Sequence, residues 1–436
     1  MQEPLFSQSV IEKALAAHDI TNVGTASIRE IKKLINDIEA ESDLKFIRME
    51  MGIPGLPAAQ IGIDAEIEAL RKGVSAVYPD VYGIPELKTE ISRFVKNFVG
   101  IDVLPSSCIP TVGSMQASFA AFLTLSRAQK GKDTTLFLDP GFAVHKQQHQ
   151  LLQIPYESFD VYSYRGEALR ERLESYLSKG NISSIFYSNP NNPSWICFTE
   201  QELQIIGELA TKYGVVVMED LAYFGMDFRV DIGTPGEPPY QATVARYIDK
   251  YILFISSSKA FSYAGQRMGM MVISDKLFKT EFPDFKRFYK STEFGHTMVF
   301  ETIYPLSSGT AHSPQYGLAA ILKAANDGRY NFVRETRVYA DKAHKLKRMF
   351  LDNGFHIVYD HDLEQQLSDG FYFTVGYGEL TGDELLHNLL YFGVSAISLS
   401  ITGSERQGIR ICVSLVPVSS FPELERRLQM FHIWQG

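Results

Sequence analysis

Short apolar runs alternate with amphipathic segments over residues 134–273, and this alternation constrains the fold more than any other feature of the sequence. The runs are rich in β-branched and aromatic residues, as buried strands are. They lie at residues 134–138, 182–187, 214–218, 251–255 and 269–273. Strands joined by helices form a mostly parallel sheet between helix layers, and such sheets bind ligands beyond the carboxyl ends of their strands. The sequence therefore predicts an α/β fold with a site at that edge.

The length of the chain indicates two domains, because 436 residues exceed what one ordinary hydrophobic core organises. Residues 1–50 are predicted to be an N-terminal helical arm belonging to the small domain, since Ser27 and Glu30 have capping-box spacing before apolar residues at helical intervals. Residues 51–320 are predicted to form the large domain, and residues 321–436 the C-terminal small domain.

The C-terminal part predicts a smaller α+β domain. A helical run from Ser313 to about Asn353, as one helix or two joined ones, leads into it. Residues 370–375, 394–398 and 408–413 are short apolar runs that predict its strands.

Charge and composition exclude several classes of protein. The net charge of −9 and the lack of a basic run argue against nucleic-acid binding, and no apolar run reaches membrane-spanning length. The N-terminus has no secretory signal pattern, so a cytoplasmic protein is expected. Cys108, Cys197 and Cys412 are few and far apart, which predicts buried thiols in a reducing compartment rather than disulfides or a metal site.

A lysine stands among serines directly after one of the predicted strands. Lys259 follows the run 251–255 and is preceded by Ser256 and Ser258. Partial desolvation at such a position lowers the pKa of a lysine and frees its neutral amine to attack a carbonyl group. Lys259 is therefore a candidate Schiff-base lysine. Taken alone, a serine-rich turn of this kind is more often a solvated loop. The residues at the ends of the other predicted strands are needed to distinguish a solvated loop from a functional site.

Other polar residues with matching chemistry follow the predicted strands. They are Asn192, Asp220, Tyr223 and, beyond Lys259, Arg267. An imine-forming lysine needs a carbonyl partner, and pyridoxal phosphate is the candidate. A buried Asp keeps its pyridine nitrogen protonated, Tyr and Asn bond its phenolic oxygen, and an Arg, serines and a helix N-terminus hold its phosphate.

Four segments resemble the motifs of the class I and II, or fold-type I, pyridoxal-phosphate-dependent aminotransferases. Residues 189–194 resemble the Asn-Pro-x-Asn-Pro-Thr/Ser motif, and residues 220–223 resemble Asp-x-x-Tyr. Residues 256–259 with Arg267 resemble the Ser-x-x-Lys motif and its later Arg, and residues 408–411 resemble the late strand that carries a carboxylate-binding Arg. The resemblance spans nearly the whole chain. It implies a large domain with a mostly parallel sheet between helix layers, and a smaller α+β domain from the N- and C-terminal segments.

The resemblance implies a role for each matching residue. Lys259 resembles the Schiff-base lysine and proton shuttle, Asp220 the partner of the pyridine nitrogen, and Tyr223 and Asn192 the partners of the phenolic oxygen. The residues that resemble the phosphate site are Ser256, Ser258, Arg267 and the helix start at Gly113, Ser114 and Met115.

Further positions resemble residues around the cofactor and the substrate. Phe142 resembles the aromatic residue that stacks on the cofactor ring, and Tyr78 the tyrosine that reaches the phosphate of the other subunit in a homodimer. Arg410, with Asn192, resembles the site of the substrate carboxylate, and Gly52 and Ile53 resemble the loop that closes over the substrate. The Asp139–Pro140 and Asn192–Pro193 peptide bonds are expected to include a cis bond.

Two features depart from the family pattern or bear on the substrate. Trp195 stands where the family usually has glycine, which puts a bulky ring at the site entrance or beneath the loop. No second, clearly placed arginine suits an acidic side chain, so selectivity for aspartate is not expected. Apolar and aromatic residues near the expected entrance favour neutral or aromatic side chains; they are Ile53, Leu56, Tyr82 and Tyr304.

The predicted activity is transamination between an amino acid and a 2-oxo acid. A carbon–sulfur β-lyase on the same fold stays open as an alternative, because the motifs serve both reactions. A non-catalytic pyridoxal-phosphate-binding regulator is a weaker alternative, because such regulators carry a DNA-binding module and the N-terminal arm has no basic helix-turn-helix pattern.

Overall fold

The computed structural model describes residues 3–436, which fold into helices and β-sheets. The strands are β1 (Ile47–Arg48), β2 (Cys108–Val112), β3 (Thr134–Asp139), β4 (Tyr156–Asp160), β5 (Ile182–Ser188), β6 (Val216–Leu221), β7 (Tyr251–Ser256), β8 (Met268–Ile273), β9 (Phe355–Ile357), β10 (His361–Asp362), β11 (Gln365–Gln366), β12 (Tyr372–Tyr377), β13 (Val394–Ser395), β14 (Ile397–Ser398) and β15 (Ile409–Cys412).

The helices cover both faces of the larger sheet and flank the smaller one. They are α1 (Gln8–Ala17), α2 (Ile28–Ala40), α3 (Gln60–Arg71), α4 (Pro85–Val99), α5 (Gly113–Leu125), α6 (Ala143–Leu152), α7 (Ala168–Leu177), α8 (Glu200–Tyr213), α9 (Ser257–Ala260), α10 (Asp275–Phe278), α11 (Phe294–His296), α12 (Tyr304–Ser307), α13 (His312–Asn326), α14 (Phe332–Thr336), α15 (Val338–Asp352), α16 (Gly382–Leu390) and α17 (Phe421–Gln435). A π-helix spans Thr297–Ile303.

The larger sheet contains seven of the strands in residues 3–436, in the order β2-β8-β7-β6-β5-β3-β4. Strand β8 runs antiparallel to both of its neighbours, and the remaining pairs are parallel. The prediction of a mostly parallel sheet is confirmed. Every residue of β3, β5, β6, β7 and β8 is buried, as expected for strands covered by helices on both faces. The carboxyl ends of β5, β6 and β7 meet at one edge.

The smaller sheet has the order β14-β15-β12-β9 and is antiparallel throughout. In its register Tyr372 faces Cys412, and Thr374 faces Arg410. The N-terminal segment contributes separately, because β1 pairs in parallel with β13. Helix α2 begins with the predicted capping box of Ser27 and Glu30 and packs its apolar stripe into the core.

Three sequence-based boundaries were wrong. The strand expected at residues 394–398 is split into β13 and β14, which join different sheets. The helical run expected from Ser313 to Asn353 is three helices, because the chain turns at Gly328, whose φ is 70°, before Asn331 caps α14. Strand β6 extends beyond its predicted end at Met218 to Leu221, because Glu219 and Asp220 continue the ladder with β7.

Several local features complete the description of the fold. The Asp139–Pro140 and Asn192–Pro193 bonds are both cis, and so are Asn189–Pro190 and Pro238–Pro239. The three cysteines are buried and unpaired. Within residues 3–436, no helix has the length and apolar character needed to cross a membrane. In the same part of the chain, no group of three or more His, Cys, Asp and Glu side chains is arranged to hold a metal ion.

Candidate active site

The edge formed by β5, β6 and β7 brings together three of the residues singled out from the sequence. Asp220 is the penultimate residue of β6 and lies opposite Ser188 of β5 and Phe254 of β7. Lys259 lies in α9, one turn beyond the end of β7, and Asn192 lies in the loop after β5. Parallel strands thus carry residues that are distant in sequence to one place.

Lys259 is partly desolvated. Burial lowers its pKa to about 8, and the positive charges of Arg267 and Arg410 act in the same direction. Its Nζ donates a hydrogen bond of 2.5 Å to the carbonyl oxygen of Gly52. The amine therefore has a sizeable neutral fraction near physiological pH, which a nucleophile and a general base both require.

Asp220 has a carboxylate oxygen without a hydrogen-bond partner. The residue is 6% exposed, and its Oδ1 atom is buried and unpaired within the described chain. Burial raises its pKa to about 7, against a hydrogen bond from the backbone of Ala222 that lowers it. Buried carboxylates are normally paired, so this atom is suited to a cationic or hydrogen-bond-donating group of a ligand.

Arg410 lies on β15 and faces this edge from the smaller sheet. Its guanidinium is buried, donates to Asn192 Oδ1 at 3.1 Å and to the carbonyl oxygen of Glu50 at 2.5 Å, and leaves Nε unpartnered. The centre of the Tyr372 ring lies 4.3 Å from the guanidinium carbon. A buried, planar guanidinium group with an unpaired N–H donor is suited to binding a carboxylate.

Tyr223 follows β6, and its side chain is buried. Its hydroxyl donates a hydrogen bond of 2.8 Å to the hydroxyl of Tyr372. Burial raises the pKa of Tyr223 well above its ordinary value, so the group is neutral throughout the physiological range. Tyr223 therefore keeps its hydroxyl proton, which it donates to Tyr372 in this structure.

The start of α5 lies against the turn before β8, and the backbone of Gly113 and Ser114 together with Arg267 forms a concave surface, called the cradle below. A Cβ atom on Gly113 would lie 2.7 Å from Arg267 Nη2, and one on Gly269 would lie 2.8 Å from the amide nitrogen of Ser114. Gly113 has φ 63°, which favours glycine. The first turn of α5, including Ser114 and Met115, has free amide groups that suit an anion such as a phosphate.

The serines beside Lys259 form the start of α9. The hydroxyl of Ser256 accepts a hydrogen bond from the backbone amide of Ser258 at 3.1 Å, and both residues are buried. Ser257, between them, instead donates to the carbonyl of Met268 on β8 at 2.7 Å. The strand-to-helix turn that precedes the lysine is therefore held by two serine hydroxyls.

Phe142 is the residue immediately before α6 and is half-buried. Its ring meets His145 edge to face at 5.6 Å. Asn191 Nδ2 donates to the carbonyl of Pro140 at 2.7 Å, which ties the Phe142 loop to the loop of Asn192. Phe142 therefore stands at the same edge of the sheet.

Tyr78 stays outside the site of its own chain. Its side chain is 91% exposed on the outer surface. The carbonyl oxygen of the preceding residue, Val77, lies 3.0 Å from His312 Nδ1. Of the site residues predicted from the sequence, Tyr78 is the one that this chain does not bring toward Lys259.

The segment of Gly52 and Ile53 crosses over the site. Gly52 contacts Lys259 through its carbonyl, and the carbonyl of Ile53 accepts from Ser414 Oγ at 2.5 Å. The amide of Gly55 donates to the hydroxyl of Tyr339 at 3.0 Å. Three contacts through the backbone hold this segment over the lysine.

Sequence reasoning missed two contributors to this site and left one undecided. The carbonyl of Glu50 and the side chain of Tyr372 both contact Arg410, but their positions depend on strand register, which the sequence pattern does not reveal. Trp195 is 1% exposed and lies beneath the loop, edge-on to Tyr223 at 5.3 Å. Its position is therefore structural support and not the site entrance.

Comparison with known proteins identifies the family. The family described as "Aminotransferase class I and II" matches residues 52–427. The chain belongs to this family. A Methanocaldococcus jannaschii protein named "Probable aspartate aminotransferase" is 25% identical over 344 residues, which are 78% of this chain and 83% of that protein.

Solved structures of aminotransferases have the same fold. A Thermus thermophilus aspartate aminotransferase mutant superposes with a TM-score of 0.74 at 16% identity, covering 93% of this chain and 97% of the other. An alanine aminotransferase from Pyrococcus furiosus gives a TM-score of 0.74 at 18% identity, covering 96% and 99%. The predicted fold-type I architecture is confirmed.

Family membership establishes the type of reaction and the cofactor. Aminotransferases of this family use pyridoxal phosphate, and this chain is a pyridoxal-phosphate-dependent transaminase. The site suits that cofactor. The unpaired Asp220 Oδ1 suits its pyridinium nitrogen, and the cradle of Gly113 and Arg267 suits its phosphate.

Proposed function

We propose that this aminotransferase moves the amino group of a 2-amino acid to a 2-oxo acid with Lys259 as the lysine that bonds the cofactor and carries the proton. One observation supports this assignment above the others. The amine of Lys259, with a pKa near 8, shares a sheet edge with the unpaired carboxylate oxygen of Asp220. A nucleophilic amine and a buried anion are the two groups that the cofactor requires of the protein.

Three side chains are proposed to hold the cofactor ring. Asp220 would pair with the pyridine nitrogen, and Tyr223 and Asn192 would bond the phenolic oxygen. When bound, pyridoxal phosphate supplies the aldehyde that takes up the amino group and the ring that withdraws electrons from the substrate α-carbon. The residues proposed for its phosphate and ring face are Gly113, Ser114, Met115, Ser256, Ser258, Arg267 and Phe142.

Lys259 is proposed to carry a proton from the substrate α-carbon to the cofactor carbon that receives the amino nitrogen. A neutral amine can take a proton from the substrate α-carbon and return it to the cofactor carbon that received the nitrogen. The lowered pKa of Lys259 keeps part of the amine neutral for this step. The carbonyl of Gly52 holds the amine in place, and the segment with Ile53 would keep water from the reacting atoms.

Arg410 is proposed to bind the substrate α-carboxylate, with Asn192 orienting the guanidinium. We expect Arg410→Lys to lower kcat/KM for amino donors by about 100-fold, because a planar fork that makes charged hydrogen bonds is lost. Steady-state kinetics would measure this, and cofactor content should stay near one per chain. Arg406→Lys is the matched control, since Arg406 is exposed and stacks on Tyr162 at 4.5 Å. An unchanged kcat/KM in Arg410→Lys contradicts the assignment.

The proposed donors have neutral or aromatic side chains. The charges of Arg267 and Arg410 both act on Lys259. Arg267 is assigned to the cofactor phosphate, and Arg410 is assigned to the substrate α-carboxylate. With these assignments neither arginine is left for a second carboxylate, whereas Ile53, 39% exposed, offers an apolar contact. A panel of amino donors, observed through the absorbance of the bound cofactor, should convert faster with neutral or aromatic donors than with aspartate. Faster conversion with aspartate would refute this donor class.

The proposed assembly is a cytoplasmic homodimer in which Tyr78 reaches the phosphate of the partner subunit. Val77, Tyr78 and Tyr304 are 62%, 91% and 55% exposed in the single chain, and tyrosine is a residue type enriched at interfaces. The three unpaired thiols suit a reducing compartment. Residues 51–320 are proposed as the large domain, and residues 1–50 and 321–436 as the small one.

Tyr78→Phe tests the shared site. We expect about a tenfold weaker binding of pyridoxal phosphate, because a hydrogen bond to a charged phosphate is lost across the interface. Equilibrium titration of the apo-protein would measure the Kd, with Tyr156→Phe as the control because Tyr156 is also partly exposed but lies on the edge strand β4. Sedimentation should give a dimer; a fully active monomer would exclude this arrangement.

The transamination itself is tested in two halves. An amino donor alone should convert the bound cofactor to its amine form with one equivalent of 2-oxo acid, and a 2-oxo acid should then restore it. Continuous release of pyruvate and ammonia without an acceptor would indicate a lyase instead.

A further inference from the structure

A second tyrosine is built into the site beside Tyr223. Tyr372 is 1% exposed, and its hydroxyl lies 2.8 Å from that of Tyr223. Its ring faces the Arg410 guanidinium at 4.3 Å. A Cβ atom on Gly52 would lie 2.0 Å from the Tyr372 hydroxyl, so the backbone of Gly52 passes directly over it. Tyr372 therefore contacts three of the groups assigned to the reaction.

The two hydroxyls form an isolated pair. Within residues 3–436, each hydroxyl has the other as its hydrogen-bond partner and no further one. Each carries one proton, so the pair uses one proton for its mutual bond and leaves one free. In the structure Tyr223 donates to Tyr372, and in that direction Tyr223 has no proton left for a ligand. If Tyr372 donates, the proton of Tyr223 is free to point at the ligand.

Packing beneath the pair keeps it in this arrangement. The ring of Trp195 is edge-on to Tyr223 at 5.3 Å and to Tyr372 at 6.0 Å. Trp195 fits there because Gly370 has no side chain; a Cβ atom on Gly370 would lie 2.2 Å from the indole. Trp195, whose position the family pattern does not explain, thus supports both tyrosine rings.

We propose that Tyr372 is a positioning residue that donates its hydroxyl proton to Tyr223 when the cofactor is bound, and so directs the proton of Tyr223 to the phenolic oxygen. This inference rests on the function proposed above. A hydroxyl that accepts a hydrogen bond becomes a stronger donor in turn. Tyr372 would therefore strengthen the bond between Tyr223 and the cofactor without touching the cofactor.

The charged and titratable groups around the pair are compatible with this direction. Arg410 and Cys412 of β15 act on both tyrosines, and the same two residues act on Lys259 of α9. Burial raises the pKa of Tyr372 to about 12, against the charge of Arg410, which lowers it. Both tyrosines are thus protonated at physiological pH and able to donate.

Tyr372→Phe removes the hydroxyl and keeps the ring against Arg410. A hydrogen bond to the phenolic oxygen stabilises the deprotonated form of the bound cofactor, so weakening that bond raises the pH midpoint of the cofactor absorbance. We expect Tyr372→Phe to raise the midpoint by roughly 0.3–1 pH unit. Tyr223→Phe should raise it further, and Tyr372→Phe should add nothing in the Tyr223→Phe background.

Tyr377→Phe is the matched control, because Tyr377 lies on the same strand β12 but bonds His432 at 2.7 Å. Its midpoint should equal that of the wild type. An unchanged or lower midpoint in Tyr372→Phe, with a raised midpoint in Tyr223→Phe, overturns the inference and leaves the proposed function intact. A protein that binds no pyridoxal phosphate, or an unchanged midpoint in Tyr223→Phe, overturns the assignment of the site itself.

Discussion

Replacing Lys259 by alanine should lower the rate of amino transfer by about 10⁴-fold or more. The substitution removes the proposed proton carrier, and general acid–base catalysis by one group contributes about 10²–10⁴-fold. It also removes the amine that would bond the cofactor, which adds to the loss. Single-turnover absorbance measurements with a saturating amino donor would give the rate. A Lys259→Ala protein that transfers amino groups at the wild-type rate would refute the assignment.

The loss should not result from unfolding. The pKa of Lys259 is about 8 in the folded chain, and its ordinary value, 10.5, applies to the unfolded chain. Between pH 8 and pH 10.5 the unfolded chain therefore binds more protons, so the free energy of unfolding rises with pH in this range. Below pH 8 the buried ammonium opposes folding, and Lys259→Ala removes that penalty. The apo-variant should therefore be at least as stable as wild type at pH 7 in thermal unfolding. Lys132→Ala is a catalytic control, because Lys132 also has a lowered pKa but precedes β3 at the opposite edge.

Replacing Asp220 by asparagine should produce the second largest effect. Loss of one partner of a buried ion pair costs about 3–5 kcal/mol, which is roughly a hundred- to several-thousandfold change in rate or affinity. The pKa of Asp220 is about 7 without a ligand, and a pyridinium partner would lower it, so the ionised form is present when the cofactor is bound. Cofactor titration and single-turnover rates would measure the two losses.

The adjacent carboxylate supplies the control for Asp220. Glu219 is also fully buried with a pKa of about 7, but it points to the other face of β6. The hydroxyl of Thr243 donates to it at 2.5 Å and the amide of Val244 at 3.2 Å. Glu219→Gln should keep cofactor affinity while changing stability. Equal losses of cofactor affinity in both variants would contradict a specific role for Asp220.

The fold and the location of the site could be predicted because they depend on local pattern. Apolar runs that end in polar residues identify buried parallel strands, and parallel strands bring their ends to one edge. Asp220 and Lys259 follow such runs, and the structure places both at the edge of β6 and β7. Tyr78 could not be located by such reasoning, because its predicted role depends on a second subunit.

Contacts between the two sheets could not be predicted. Tyr372 and the carbonyl of Glu50 reach Arg410 through the register of β12 with β15 and the path of the segment after β1, which depend on tertiary packing. The split at residues 394–398 has the same origin, since β13 pairs with β1 while β14 pairs with β15. Trp195 was noticed as unusual, but its place beneath the tyrosines depends on the space left by Gly370.

Reductive trapping of the bound cofactor would identify the lysine that bonds it. The holo-protein would be reduced with borohydride, digested, and searched for the lysine that carries a pyridoxyl group by peptide mass spectrometry. A single modified lysine, Lys259, is expected at near-stoichiometric yield. A pyridoxyl group on another lysine, such as Lys342 beside Ser414, or no modified lysine in a protein that binds the cofactor, would contradict it.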